Sequence, residues 1–394
     1  MTQSEKFVYD LSRRSFFKLW THLSPIGKKG KELCDCLIVC GDHIIIISVK
    51  EIEYKDTGDV TGFERWMKNA IDKSVSQILG AERWLDKQKI IKCRNGRTIS
   101  IPTNPKFHRI AVALGGKGET PLKWGSFKGK FVHAFDELSI IPIFTFLDTI
   151  TDFINFLSQS ENIYKREDIN IYFAGSGVED LLALYISNNY SFDPIFKYDG
   201  SVSLMLDGNI WNSFSKSDEY LELKKTLEPS YFWDKLIDFF SDDLLTDGMF
   251  EFQSKKKTHN ELAFIEMAKQ PRWYRLNLGE ALLEFMFAKE PRIASRLVEG
   301  YDNSIFVFLF GESANREQRA NELLLRCYVA RSLYKEHKII VGISFDRPGT
   351  SEIGYSSEFV YLNMPDWSNI EQTKAKLIQK EFGFFKNPLK KMEF

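Results

Sequence analysis

The stretch that decides the fold, residues 30–50, reads GKELCDCLIVCGDHIIIISVK. Two apolar runs flank the Gly-Asp pair at positions 41–42, a dipeptide typical of the two-residue loop of a β-hairpin. Because side chains alternate between the two faces of a strand, this loop places Asp35, Ser48 and Lys50 on one face of the hairpin. Asp35 lies opposite Ser48, with their Cβ atoms about 5 Å apart. The pattern therefore brings an acid and a lysine together.

Charged side chains at the end of an apolar hairpin need an explanation, because burying a charge is costly unless it is paired or binds a metal. The plain explanation is a buried ion pair between Asp35 and Lys50, which also occurs in folds without catalytic activity. Two further features favour a functional site. Glu32 precedes Asp35 by three positions, and a predicted helix that carries Gln77 follows the hairpin. The hairpin end is therefore the candidate site.

Composition and charge limit the classes to which this protein can belong. The chain has 394 residues, 43% hydrophobic and 27% charged, which is typical of a folded protein and long enough for two domains. A formal net charge of -1 gives no general attraction to nucleic acid, so a polyanion-binding face would require local charge asymmetry. The sequence shows neither an N-terminal apolar signal region nor an apolar run of membrane-spanning length. We expect a cytoplasmic protein that makes no membrane contact.

Cysteine usage agrees with a reducing compartment. The five cysteines are an odd number, and those at positions 34, 36 and 40 crowd into one predicted strand. This spacing does not fit a disulfide framework, and a zinc site would need a matching second pair of ligands. We expect the three clustered cysteines to be small buried apolar side chains.

The first predicted domain covers residues 1–160. Its predicted elements are a helix at 5–22, the hairpin with its second strand ending near 54, a helix at 62–87 opened by a Thr61–Glu64 capping box, strands at 107–114 and 130–135, and a helix at 143–157. The glycine cluster at 115–118 is expected to be a flexible turn rather than a phosphate cradle. This order predicts an α/β fold with a mixed sheet flanked by helices.

The second predicted domain, residues 161–394, is also α/β. Its predicted elements are a strand at 169–173, helices at 178–186, 260–269 and 276–288, a strand at 304–310, a helix at 315–334, a strand at 338–343, and a last helix opened by a Ser368–Glu371 capping box. The strand, helix and strand over 304–343 predict a parallel β-α-β unit. Arg316, Arg319 and Arg326 fall near one face of its helix, as a solvated face or as a phosphate- or partner-binding stripe.

The hairpin end resembles the active site of the PD-(D/E)xK restriction-endonuclease-like nuclease superfamily. Asp35 and the run Ser48-Val49-Lys50 carry the resemblance, with Glu32 upstream and Gln77 on the following helix, and it covers roughly residues 5–135. The chain departs from the family pattern at Ser48, which stands in the place of the second acid. A hydroxyl is a poorer magnesium ligand than a carboxylate.

The resemblance implies a site for Mg²⁺ or Mn²⁺, hard cations that prefer oxygen ligands. The implied ligands are the Asp35 carboxylate, the Val49 backbone carbonyl and Glu32, and Lys50 would lie against the attacking water or the scissile phosphate. Ser48 and Gln77 complete the expected catalytic set. Glu32 is preferred over Glu51, because Glu51 points to the opposite face of a regular strand.

Three hypotheses follow for the function. The first is a metal-dependent endonuclease that hydrolyses phosphodiester bonds in DNA or RNA; the resemblance implies restriction or anti-phage defence, with a C-terminal domain that senses, recruits a partner protein or forms a homodimer. The second is a non-catalytic nuclease-fold scaffold that binds nucleic acid or a protein partner, which Ser48 favours. The third is a small nucleotide bound by the C-terminal β-α-β unit, indicated by the glycines at 175–177 and the arginine stripe.

Overall fold

A computed structural model describes most of the chain, and it describes residues 242–246 and 294 by their backbone alone. The described residues are 2–55, 60–118, 125–174, 177–197, 200–246, 259–287, 294–311, 316–346 and 356–385. The chain divides into two compact units, the first formed by residues 1–225 and 241–255 and the second by residues 226–240 and 256–394. This division assigns residues 161–225 to the first unit, further along the chain than the predicted boundary.

The first unit contains a mixed sheet flanked by helices, which confirms the predicted α/β fold class. Its strands are β1 (Thr21–Leu23), β3 (Cys36–Cys40), β4 (His43–Glu51), β7 (Lys106–Leu114), β8 (Gly125–Phe127) and β9 (Lys130–Phe135). They lie in the order β1-β3-β4-β7-β9-β8, with β4, β7 and β9 parallel and the other neighbours antiparallel. A central strand is covered on both faces, which explains the continuous isoleucine run in β4.

The predicted hairpin register is confirmed. Cys40 pairs with His43 and Cys36 with Ile47, which leaves Gly41 and Asp42 as the loop. Asp35 precedes β3, and its backbone N–H donates to the Ile47 carbonyl at 3.2 Å, so the register continues to the candidate site. The three clustered cysteines are buried in the core, as predicted.

The predicted helix at 62–87 exists but is wound in three parts. These are α2 (Val60–Met67), a π-helical turn (Lys68–Asp72) and α3 (Lys73–Leu85). Because α2 begins at Val60, Thr61 lies inside the helix, so its predicted place as the cap is wrong. Apolar side chains of this helix face the core, with Ile71 and Ile78 fully shielded from solvent. The first helix, α1 (Gln3–Trp20), begins with a capping box at Thr2.

Several short strands of the first unit were not predicted from the sequence. The strands β2 (Pro25–Ile26), β5 (Ile90–Cys93) and β6 (Thr98–Ser100) form a separate antiparallel sheet. The predicted helix at 143–157 is wrong, because α4 (Ile140–Phe146) and α5 (Ile150–Tyr164) are separate. The Thr149 hydroxyl accepts a hydrogen bond from the Asp152 N–H and caps α5, which starts a new helix inside an apolar run.

The glycine cluster at 115–118 has a structural explanation. Gly115 has a φ of +94°, and a Cβ atom there would lie 2.6 Å from the Ile52 carbonyl oxygen. The Lys117 N–H donates to the Glu137 carboxylate at 2.5 Å. Glycine is needed here for close backbone approach at the end of β4.

The rest of the first unit adds a small parallel sheet and helices. Strands β10 (Ile169–Phe173) and β11 (Val202–Leu206) pair in parallel, and the helices are α6 (Val178–Ser187), α7 (Asp193–Phe196), α8 (Asn209–Phe214) and α9 (Asp218–Leu227). Of the glycines at 175–177, only Gly177 is described. A Cβ atom on Gly177 would lie 2.6 Å from the Leu206 carbonyl oxygen, so its role is also close packing. Helix α10 (Tyr231–Thr246) carries residues of both units.

The second unit contains the predicted parallel β-α-β arrangement. Its elements are α11 (His259–Lys269), α12 (Arg272–Met286), β12 (Ala294–Glu299), β13 (Ser304–Gly311), α13 (Arg316–Leu333), β14 (Ile339–Asp346), β15 (Ser357–Asn363) and α14 (Asn369–Phe382). The sheet order is β12-β13-β14-β15, with β13 and β14 parallel. Helix α13 packs on this sheet, and Gly342 leaves room for Cys327. The predicted Ser368–Glu371 capping box is present.

The arginine stripe on α13 is engaged by protein groups. Arg319 has a side chain 3% exposed and pairs with Asp346 and Glu358. Arg326 pairs with Glu322 and is 11% exposed, whereas Arg316 is 64% exposed and also reaches Glu358. A solvated face is therefore wrong for Arg319 and Arg326, and a phosphate bound there would have to displace carboxylates.

No helix in the described part of the chain has the length and apolar character needed to cross a membrane.

Candidate active site at the hairpin end

Asp35 is the buried centre of the candidate site. Its side chain is 6% exposed, and its Oδ2 atom accepts a hydrogen bond from the Val49 N–H at 2.6 Å. The same oxygen lies 3.7 Å from Lys50 Nζ. The carboxylate is thus fixed across the hairpin by the backbone of β4, as the predicted register requires.

Lys50 and Ser48 point from β4 to the same side chain of α3. The Lys50 ammonium donates to Gln77 Oε1 at 3.2 Å and to the Val49 carbonyl at 3.0 Å, and the Ser48 hydroxyl donates to Gln77 Oε1 at 2.9 Å. Ser48 is fully buried, whereas the Lys50 side chain is 29% exposed. Gln77 therefore orients the lysine, and the lysine keeps access to solvent.

Glu32 joins Asp35 from the segment before β3. Burial and the neighbouring carboxyl group of Asp35 raise the pKa of Glu32 above its ordinary value of 4.5, against the opposing charge of Arg94. A like charge and burial disfavour the ionised form of Glu32, whereas a bound cation would favour it. Glu51 instead accepts a hydrogen bond from Ser4. The geometry thus places Glu32, and not Glu51, beside Asp35.

The donor set fits a hard divalent cation. It comprises the adjacent carboxyl groups of Glu32 and Asp35 and the Val49 carbonyl, which the Lys50 ammonium already reaches. Oxygen donors of this kind suit Mg²⁺, which keeps several water ligands and needs few protein ligands. Among the residues that the structure describes, no cluster of three or more His, Cys, Asp and Glu side chains could hold a metal ion. The two-carboxylate set therefore predicts weak cation binding that is strengthened by a substrate phosphate.

Arg94 is the member of this region that the sequence analysis missed. Its guanidinium lies 3.0 Å from Glu32 Oε2 and is 62% exposed, and the other Glu32 oxygen accepts from the Ser24 hydroxyl at 3.3 Å. Arg94 follows β5, which pairs with β2 and so reaches the segment before the hairpin. The Asn-Gly pair at 95–96 is a local signal for the hairpin of β5 and β6, but it does not indicate that β5 also pairs with β2.

All the predicted site residues, namely Glu32, Asp35, Ser48, Val49, Lys50 and Gln77, come together at one end of the hairpin. A comparison of the chain with protein-family models, curated proteins and solved structures found no match.

Proposed function

We propose that the first unit is a metal-dependent nuclease of the PD-(D/E)xK type, which hydrolyses phosphodiester bonds in DNA or, alternatively, in RNA. The observation that carries the proposal is the buried Asp35 carboxylate 3.7 Å from the ammonium of Lys50, with Glu32 as a second carboxyl group close by. An ion pair alone accounts for Asp35 and Lys50. It does not account for Glu32, a second carboxyl group close enough to Asp35 for its pKa to be raised even though Arg94 also pairs with it.

The roles of the residues follow from their contacts. Glu32, Asp35 and the Val49 carbonyl would hold Mg²⁺ or Mn²⁺, which supplies charge neutralisation at phosphate oxygens and acidifies a bound water. Lys50 donates to a non-bridging oxygen of a phosphate at this end of the hairpin, and its positive charge stabilises the charge that develops there. Gln77 and Ser48 are positioning residues that keep the ammonium aimed at that place.

The cellular setting is part of the proposal. A reducing cytoplasm suits five cysteines that are buried as free thiols. A role in restriction or anti-phage defence has its support in the sequence resemblance alone. We propose that the second unit contributes partner binding or homodimer formation, since cutting both strands of a duplex calls for two active sites.

A cleavage assay on duplex DNA, single-stranded DNA and RNA, with Mg²⁺, Mn²⁺ or EDTA, tests the nuclease. Asp35→Asn and Lys50→Ala are each expected to lower the rate at least about 100-fold, because each removes a charge that acts in the transition state. The matched controls are Asp42→Asn and Lys106→Ala, which break an exposed ion pair of 2.8 Å at the other end of β4. Full activity in Asp35→Asn or Lys50→Ala would show that this site is not catalytic.

The second candidate function is a non-catalytic scaffold that keeps the nuclease fold. The bond from Ser48 to Gln77 favours it, because the hydroxyl that replaces the second acid is turned towards an amide. A scaffold would bind nucleic acid or protein without metal and would cut nothing. Calorimetric titration with Mn²⁺ separates the two candidates, since millimolar or tighter binding that is lost in Asp35→Asn contradicts the scaffold.

A further inference from the structure

A groove lies on the first unit between α3 and the β8–β9 hairpin. Its cavity has a volume of about 440 Å³. Its floor is apolar and is formed by Val75, Leu79 and Phe127. Its rim is cationic and is formed by Arg83, Lys128 and Lys130. Asp72 and Ser76 complete its lining. An apolar floor with cations around it suits a ligand in which flat apolar groups alternate with negative charges.

A buried carboxylate fixes one of these cations. Glu82 is 4% exposed, and its Oε1 atom accepts a hydrogen bond from Lys130 Nζ at 2.5 Å. Arg109 binds the same carboxylate through both of its oxygens, at 2.5 Å and 2.8 Å. One buried anion is thus shared by two cations, so the cluster keeps a positive charge. Lys130 is 42% exposed and remains accessible from the groove.

The outward face of α3 links this groove to the candidate active site. Gln77 lies about 200° around the helix from Val75, so the active site and the groove flank the same helix. Lys73 is exposed on the surface between them, and Lys87 is exposed just beyond the end of α3. A helix width of about 10 Å corresponds to about three nucleotide steps along a duplex. One nucleic-acid molecule can therefore span both flanks.

We infer that the groove and the outward face of α3 bind the sugar–phosphate backbone of nucleic acid, with a base or sugar of one nucleotide on the floor at Phe127. This inference rests on the proposed nuclease function and specifies where the substrate lies. The cations neutralise phosphates on the far side of α3 from the scissile bond. The local charge asymmetry also explains how a chain with a net charge of -1 attracts a polyanion.

Fluorescence anisotropy with labelled single-stranded and duplex DNA in EDTA tests the inference without cleavage. Arg83→Glu combined with Lys128→Glu is expected to weaken binding at least about tenfold. The slope of the logarithm of affinity against the logarithm of salt concentration is expected to fall by about two, because about two phosphate contacts are lost. Both side chains are exposed, so the fold is expected to persist. The control, Lys197→Glu combined with Lys216→Glu, makes the same charge change at exposed positions of the same unit and is expected to change affinity less than twofold.

Each outcome decides the inference. Equal weakening in the two double variants would overturn it, as would an acidic peptide or a free mononucleotide that competes as well as a DNA strand. The proposed nuclease fails separately, if the wild-type protein binds DNA through the groove but cuts nothing with either metal. The converse outcome is cleavage that requires Asp35 together with normal DNA binding by the double variant at Arg83 and Lys128. That result would support the proposed nuclease and reject the groove as the binding site.

Discussion

At the scale of single residues, the oxygen of the Gln77 side chain organises the candidate site. It accepts hydrogen bonds from both Ser48 and Lys50, so the serine acts on the lysine through the amide. A serine in the place of an acid is therefore a positioning group here. The second carboxylate comes from Glu32, outside the strand that carries Ser48. The proposed site keeps two acids by taking one from a different segment.

The ionisation of Glu32 gives a prediction about pH. Burial and Asp35 raise its pKa in the folded protein above 4.5, so its contribution to stability is complete below 4.5 and is lost as the pH rises through the folded value. Without metal, Glu32→Gln is expected to remove this pH dependence of the melting temperature. Mn²⁺ is expected to raise the melting temperature of the wild type at pH 7 and to have little effect on the variant.

Thermal unfolding across a series of pH values that begins below 4.5 and rises to neutral measures both effects. Glu51→Gln is the control, because Glu51 lies away from Asp35 and is bonded to Ser4. The same pH dependence in wild type and Glu32→Gln would contradict a raised pKa of Glu32 in the folded protein.

At the scale of elements, the sequence was sufficient where local patterns determine structure. The Gly-Asp loop fixed the hairpin register, and with it the meeting of Asp35, Ser48 and Lys50. The strands β1, β2 and β5 are short, and their pairing partners are set by tertiary contacts that no local periodicity reports. Arg94 was missed for that reason. The partner of Glu32 could not be predicted without knowing that β5 pairs with β2.

Gly115 offers a prediction about the end of β4. Gly115→Ala is expected to destabilise the protein by about 2 kcal/mol or more, because it adds a steric clash with the Ile52 carbonyl to the cost of a positive φ. Gly96→Ala is the matched control, since Gly96 also has a positive φ of +84° but has no atom within 4 Å of the added Cβ. It is expected to cost about 1 kcal/mol.

Urea unfolding of the two variants measures the difference. If Gly115→Ala costs no more than Gly96→Ala, the close approach of Ile52 to residue 115 does not constrain this strand end.

At the scale of the whole molecule, each unit has its own sheet and its own buried charge network. In the first unit Glu82 is shared by Arg109 and Lys130, and in the second Arg319 is shared by Asp346 and Glu358. Ion pairs lower the pKa of Glu82, Asp346 and Glu358 against the opposing effect of burial. These carboxylates are held ionised by their partners, so removing a partner leaves a buried charge.

Arg319→Met is therefore expected to destabilise the second unit by about 3–5 kcal/mol. Arg316→Met is the control, because Arg316 reaches the same Glu358 from an exposed position and is expected to cost less than about 1 kcal/mol. Hydrogen exchange measures where protection is lost, which we expect in β13 and β14. Equal costs for the two variants would show that the Arg319 network does not stabilise the sheet.

The π-helical turn at Lys68–Asp72 has a consequence for how this site tolerates change in length. Such a turn holds one residue more than an α-helical turn, so every side chain beyond it is rotated by about 100°. Trp66 before the turn is anchored to the Ile52 carbonyl at 2.8 Å, and Gln77 after it is anchored to Ser48 and Lys50. Deletion of one residue between Trp66 and Gln77 would rotate one of these side chains away from its partners. Only one of the two sets of contacts could then be kept. Deletion of a single codon could thus disassemble the proposed site, with every residue of the site unchanged.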